Sequence, residues 1–170
     1  MVRIVSLKKR RFTKPLSFTE LNHSNIHFTM SFPLRSPRDL TGGIVIFARI
    51  LDKIRLNALG QLPSGYHVGI VPGNRTFDDR LCKFLGVDFD ALSTRTLEGG
   101  SDEEILAWCF SHGTQPSDEQ IEVWNAFLSK RGWRDPATTG FAQSKAEAGF
   151  AGREDIQTFF DLIDAEEGRA

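Results

Sequence analysis

The side chains best suited to acid–base chemistry lie in a glycine-rich stretch, residues 60–76. Four glycines and two prolines fall within it, a density that predicts a loop. The loop carries Tyr66, the only tyrosine of the chain, next to His67. Histidine changes charge near neutral pH, so His67 is our leading candidate for proton transfer, with Tyr66 beside it. The alternative is that both side chains only anchor the loop through hydrogen bonds to its unpaired backbone groups.

A second set of candidates lies on the segment 44–59, whose apolar residues recur at helical spacing. That apolar stripe predicts the central core helix of the protein; it consists of Phe47, Ile50, Leu51, Ile54 and Ala58. Arg49, Asp52 and Lys53 fall on the opposite face. Arg49 and Lys53, together with Arg38 upstream, could hold an anionic group, and Asp52 could move a proton. The alternative is an ordinary solvated face, in which Asp52 pairs with Arg49 and Arg55, three residues away on either side.

Acidic residues cover the polar side of the last predicted helix, residues 153–167. Asp161 and Asp164 stand three residues apart, so they could share a cation or meet the basic face of the central helix. Two carboxylates fall far short of a metal-ligand set. We therefore predict no metal and no cofactor, and we include Asp161 among the candidate ligand-binding residues.

Helix-start signatures recur along the rest of the chain and set the fold class. Serine, threonine or aspartate at an N-cap, often followed by an acid three residues later, marks helix starts at Ser36, Thr76, Asp88, Ser101 and Ser117. Residues 133–151 have no such signature and read as a loose loop with one helical turn. We predict an all-α or mainly α protein: a compact bundle of about six helices around the helix near 44–59. At most a small β element is expected, near residues 66–71.

Charge divides the chain unevenly. Residues 1–29 hold six basic residues and one acidic residue, although the formal net charge of the whole chain is −1. We predict that 1–29 form a basic, disordered extension and that 30–170 form a single helical domain, with Met30 as the natural start. The cluster Lys8-Lys9-Arg10-Arg11 is the only support for nucleic-acid binding, which we therefore consider unlikely as a function.

Cysteine usage and hydropathy indicate where the protein works. Two cysteines, Cys82 and Cys109, give no disulfide framework and read as buried thiols, as expected in a reducing compartment. No run of 18 apolar residues occurs, and no apolar signal segment follows the basic N-terminus. We expect a soluble, cytoplasmic protein without membrane contact.

Several ordered motifs together resemble one known family. They are SPRDLTGG, ARILDKIR, GYH, FLGVDFDAL, SDEEILAW, WNAF and REDIQTFFDLIDAEEG, and they extend over roughly residues 33 to 169. In these motifs the chain resembles a bacterial family catalogued as a domain of unknown function, DUF5069. The resemblance implies a compact, mostly helical single domain, and it implies no activity and no catalytic residues.

Two functional hypotheses follow. The first is a domain that binds a small polar or anionic ligand and could be an enzyme, with its site built from the residues of the loop and of the basic face. The second is a non-catalytic module that binds a protein partner through an acidic or aromatic surface. The chain has no P-loop, no GxSxG, no HExxH and no paired CxxC, so the sequence leaves enzymatic activity open.

Overall fold

The structure, a computed structural model, describes residues 32–73 and 75–169, which fold into seven α-helices. The helices are α1 (Phe47–Ala58), α2 (Phe77–Leu85), α3 (Phe89–Leu97), α4 (Asp102–His112), α5 (Asp118–Ser129), α6 (Thr138–Glu147) and α7 (Phe159–Glu166). These residues contain no β-strand, and residues 66–71 are irregular; a single β-bridge joins Thr41 to Ile44. The all-α prediction is confirmed. The predicted extension over 1–29 lies outside the described residues.

Helix α1 is the centre of the core, as its apolar stripe predicted. Phe47, Ile50 and Leu51 are fully buried, and α1 packs most closely against α3. The predicted bounds were too wide, because Ile46 adopts a left-handed conformation with φ 69° and α1 begins only after it. The predicted solvent face was also wrong at Arg49, which is only 3% exposed. A periodic pattern cannot distinguish a solvated arginine from one that meets a buried carboxylate.

The side-chain caps position most of the remaining helices. Thr76 and Asp88 accept hydrogen bonds from first-turn amides of α2 and α3. Ser101 and Ser117 form complete capping boxes at the starts of α4 and α5. Ser36, in contrast, starts a turn and not a helix, since its carbonyl accepts from the amide of residue 39 at 3.1 Å and the chain then leaves the helical path.

The C-terminal third differs most from the prediction. Residues 138–147 form α6, where we expected a loose loop with one helical turn. No side chain caps α6, and one buried residue, Phe141 at 7% exposed, attaches it to a small second core with Ile156 and Leu162. The last helix begins at Phe159 and not near 153, because Thr158 supplies a capping box there.

No helix within residues 32–73 and 75–169 is long and apolar enough to cross a membrane.

Candidate functional site

Two of the predicted site residues meet around a buried carboxylate. The Glu167 side chain is fully buried and accepts a hydrogen bond from Arg49 Nη1 at 3.0 Å, while Arg49 Nη2 pairs with its other oxygen. The Tyr66 hydroxyl donates to Glu167 Oε1 at 2.6 Å, and Arg169 forms a further ion pair with Glu167. Arg49 Nη1 also donates to the carbonyl of Arg35 at 2.6 Å. We call Arg49, Tyr66, Glu167 and Arg169 the buried arginine network.

The network fixes the protonation state of its tyrosine. Burial, and then the hydrogen bond to Glu167, raise the pKa of Tyr66 above its usual value. The phenol is therefore protonated at neutral pH and acts as a donor to the carboxylate. The guanidinium carbon of Arg49 lies 5.6 Å from the centre of the Tyr66 ring. Within this network Glu167 already occupies the position that an anionic ligand of Arg49 would need.

The network also joins two distant segments of the chain. Arg169 donates to the carbonyl of Leu34, and its guanidinium carbon lies 5.7 Å from the centre of the Phe32 ring. Through Arg35, whose carbonyl Arg49 binds, residues 32–35 are held against residues 167–169.

The other predicted cations also have carboxylate partners. Arg38 pairs with Asp161, and its Nε lies 3.3 Å from Asp164 Oδ2. Lys53 pairs with Asp78, and its ammonium donates to the carbonyl of His67 at 3.0 Å. Burial lowers the pKa of Lys53, and Asp78 opposes that effect. Arg38 and Asp161 therefore form one ion pair, and Lys53 lies against the backbone of the glycine-rich loop.

Asp52, the third residue predicted to move protons, is held by Arg35. Its carboxylate accepts from Arg35 Nε at 2.8 Å and from Nη2 at 2.7 Å, a bidentate pair. The expected pairing of Asp52 with Arg49 and Arg55 on the same helix is therefore wrong, because Arg35, upstream of α1, binds the carboxylate instead. Arg55 pairs instead with Asp102 at 2.8 Å.

His67 meets these pairs through its backbone carbonyl, which accepts from Lys53. Its side chain is exposed and lines an open cleft of about 610 Å³ together with Ser144, Glu147 and Glu166. Burial, and then the neighbouring Glu167, raise the pKa of Glu166. Neither Arg49 nor Asp161 lines this cleft, so the structure does not bring the predicted residues together in one concavity.

Three arginines that the sequence did not single out as binding residues surround another cleft. It has a volume of about 320 Å³ and lies beside the start of α2. We call it the arginine cleft; Arg75, Arg80 and Arg131 line it, together with Thr76, Phe77, Ala137 and Phe159.

Positive charge in the arginine cleft is only partly neutralised. Arg131 pairs with Asp135 at 2.5 Å, whereas Arg75 and Arg80 form no ion pair with any described residue. Burial lowers the pKa of Arg80, and the nearby charges of Arg131 and Arg75 lower it further. Asp79 and Asp135 act in the opposite direction without cancelling that shift. The cleft is therefore a partly enclosed space in which positive charge is in excess.

Metal binding has no comparable support in the part of the chain that the structure describes. There, no three histidine, cysteine, aspartate or glutamate side chains are close enough together to hold a metal ion.

Fold and clefts together define a small, mainly helical domain with an arginine-lined cleft. The chain belongs to the family described as Domain of unknown function (DUF5069), whose family model matches residues 31–169. The resemblance seen in the sequence motifs is thereby confirmed. No curated protein matches the sequence.

Proposed function

We propose that this domain binds a small anionic ligand, carrying a phosphate or carboxylate group, in the arginine cleft. The observation that carries the proposal is the grouping of Arg75, Arg80 and Arg131 around about 320 Å³ of open space. Guanidinium groups present planar pairs of N–H donors that match phosphate and carboxylate oxygens. Anionic ligands were also the class that we expected from the sequence, although from different arginines.

The electrostatics of the cleft favour an anion over a neutral ligand. Burial, and then the like charges of Arg131 and Arg75, lower the pKa of Arg80. A bound anion would attract all three arginines and so offset the repulsion among them. The cleft is small enough to exclude part of the solvent, which strengthens that attraction. Arg131, which Asp135 holds in place, would be a fixed donor to the anion, and Arg80 and Arg75 would bind the same anion from beside it.

The residues predicted from the sequence take a different place in this proposal. Arg38, Arg49, Lys53 and Asp161 are engaged in internal ion pairs, and we assign them to stability and not to the ligand. If His67 transfers a proton, it would do so in its own cleft, which neither Tyr66 nor Asp52 lines. We therefore propose binding in the arginine cleft without assigning a reaction.

The compartment is part of the proposal as well. Cys82 and Cys109 are both buried free thiols, and burial raises their pKa values to about 12 and about 11. Such thiols are inert and suit a reducing compartment, which supports a cytoplasmic protein.

Calorimetric titration with inorganic phosphate at low ionic strength tests the binding proposal. Wild-type protein should bind phosphate, and Arg80→Gln and Arg131→Gln should each weaken binding at least about tenfold, since hydrogen bonds to charged groups contribute about 1.5–3 kcal/mol. Arg153→Gln is the matched control, because Arg153 is an exposed arginine whose partner is Asp155. Binding that Arg80→Gln and Arg131→Gln leave unchanged would refute the proposal.

A protein-interaction module remains the competing hypothesis. Two exposed apolar residues, Val123 and Phe127, favour it, since they lie near each other on α5. A surface that serves only to bind a protein does not need the arginines of the cleft, so phosphate binding that is lost in Arg80→Gln and Arg131→Gln would favour the ligand hypothesis.

A further inference from the structure

An apolar groove adjoins the arginine cleft. We call it the aromatic groove; its open volume is about 460 Å³, and Phe84, Glu119, Gln120, Val123, Trp124 and Phe127 line it. Phe84 and Trp124 form its floor as stacked rings, with centres 4.3 Å apart and planes 8° from parallel. Phe127 is 42% exposed and Val123 is 63% exposed. Apolar surface is thus left open immediately next to unneutralised positive charge.

Phe127 connects the groove to the cleft. The guanidinium carbons of Arg80 and Arg131 each lie 5.5 Å from the centre of the Phe127 ring. At that distance a cation is attracted by the face of an aromatic ring. The same ring therefore lies beside two arginines of the cleft and lines the apolar groove.

The same elements carry both sites. Phe84 stands four residues after Arg80 on α2, which is about one helical turn, or about 6 Å. Phe127 lies on α5, and Arg131 follows two residues after that helix ends at Ser129. Because Arg80 and Arg131 both lie by the Phe127 ring, a ligand extending from cleft to groove would cross only a short distance.

Charge gives the combined site a direction. The arginines close one end, whereas Glu119 borders the groove near the start of α5, about 12 Å from Phe127 along the helix. An anionic group would be attracted to the arginine end and repelled from the Glu119 end. A ligand with a single anionic group and an apolar body can therefore enter in only one orientation.

We propose that the ligand is a small aromatic molecule with a phosphate or carboxylate group close to its ring. The anionic group binds in the arginine cleft, and the ring lies in the aromatic groove against Phe127, Trp124 and Val123. This inference rests on the proposed function, since it extends the same anion site. The two volumes, about 320 and about 460 Å³, together fall within the usual range for a small-molecule site.

Titration of the full chain with phenyl phosphate and with methyl phosphate tests this inference. Both probes carry the same anionic group, and only one carries a ring. We expect phenyl phosphate to bind at least about tenfold more tightly, the lower end of what burial of a phenyl-sized surface contributes. Both probes should lose affinity in Arg80→Gln.

Variants of the groove separate the contribution of the ring from that of the anionic group. Phe127→Leu and Val123→Asn should reduce the affinity for phenyl phosphate about three- to tenfold. Val123→Asn should leave the affinity for methyl phosphate unchanged, because Val123 does not line the arginine cleft. Phe127→Leu should weaken methyl phosphate less than phenyl phosphate, because it also removes the ring beside Arg80 and Arg131. Leu59→Asn is the matched control, because Leu59 is an exposed apolar residue outside the groove and its replacement should change neither affinity.

The outcomes distinguish this inference from the function on which it rests. Equal affinity for the two probes, lost in both cases on Arg80→Gln, would overturn the aromatic-ligand inference and leave the anion site standing. No binding of either probe would overturn both. A dimer in solution that Val123→Asp dissociates would show that a second copy of the chain covers the groove, and it would overturn the inference too.

Discussion

The buried arginine network and the arginine cleft use the same side chain in opposite ways. In the network, the single carboxylate of Glu167 accepts from Arg49, Tyr66 and Arg169, all within the chain. In the cleft, three arginines line an open space, and the described residues supply an ion-pair partner, Asp135, to Arg131 alone. An arginine whose counter-charge comes from the chain itself thus stabilises the fold, whereas an arginine without one is available to bind a ligand.

The difference follows from burial. A fully buried charge without a partner is strongly destabilising, so Arg49 needs Glu167 in every folded molecule. In a half-open cleft, water and salt stay close to the arginines and screen their charges. The repulsion between the arginines therefore destabilises the folded state only slightly. Substitutions in the network should therefore change stability, whereas substitutions in the cleft should change binding.

The largest effect is expected from breaking the buried ion pair. Arg49→Ala removes one partner and leaves the Glu167 carboxylate buried with fewer donors. We expect the free energy of unfolding to fall by about 3–5 kcal/mol, measured by urea denaturation. The double variant Arg49→Met, Glu167→Leu should recover part of that loss, because it removes both buried charges and Arg169 keeps Asp164 as a partner at 3.4 Å. The Tyr66 hydroxyl still loses its acceptor.

An exposed ion pair provides the control for that experiment. Arg153→Ala removes an exposed arginine that pairs with Asp155, and such pairs contribute little to stability because water and salt screen them. If Arg49→Ala changed stability no more than Arg153→Ala, the network would not be structural, and the contrast between the two regions would be lost.

A smaller effect, with a pH signature, is expected at Tyr66. Tyr66→Phe removes the hydrogen bond to Glu167, which should cost about 1–2 kcal/mol at pH 7. Because the folded-state pKa of Tyr66 is raised, the folded protein keeps the proton above pH 10, where the unfolded chain releases it. Stability is therefore lost as the pH rises above about 10 in the wild type.

Comparison of the wild type with Tyr66→Phe separates the loss of stability due to Tyr66 from that due to other titrating groups. Urea denaturation from pH 7 to pH 11 should show the difference in stability between wild type and Tyr66→Phe shrinking above pH 10. Other groups titrate equally in both proteins. A difference that stayed constant would mean that the phenol is not held by the carboxylate.

The smallest effect on stability is expected in the arginine cleft. Arg80→Gln removes like-charge repulsion together with one cation–π contact, so stability should stay within about 0.5 kcal/mol of the wild type. Raising the ionic strength from about 10 to about 150 mM should stabilise the wild type more than the variant, because salt screens the repulsion. A loss of several kcal/mol would place Arg80 among the structural arginines.

Local signals predicted the parts of the fold that depend on neighbouring residues. Each cap at Thr76, Asp88, Ser101 and Ser117 involves side chains within three residues, so the sequence predicted those helix starts correctly. Residues 138–147 lack a cap and a clear apolar stripe, and α6 depends instead on Phe141 packing against Ile156 and Leu162. Such tertiary support leaves no periodic signal in the segment itself.

The candidate site could be predicted less well, for a related reason. Arg49 looked like a surface residue because its partner, Glu167, is more than a hundred residues away. Arg75 and Arg80 meet Arg131 only after α2 and α5 have packed, and Arg131 alone reads as an ordinary helix-terminal cation. The signal available in the sequence was an arginine four residues from a phenylalanine in two places, Arg80 with Phe84 on α2 and Arg131 with Phe127 at and just beyond the end of α5.

The joining of residues 32–35 to residues 167–169 has a consequence for folding during synthesis. Glu167 and Arg169 leave the ribosome after every other part of the domain. Until then, Arg49 on the central helix has no carboxylate to meet, and the nascent domain carries an unpaired charge at its core. We therefore expect the growing chain to remain open around α1, and to become resistant to proteases only once residues 167–169 have emerged.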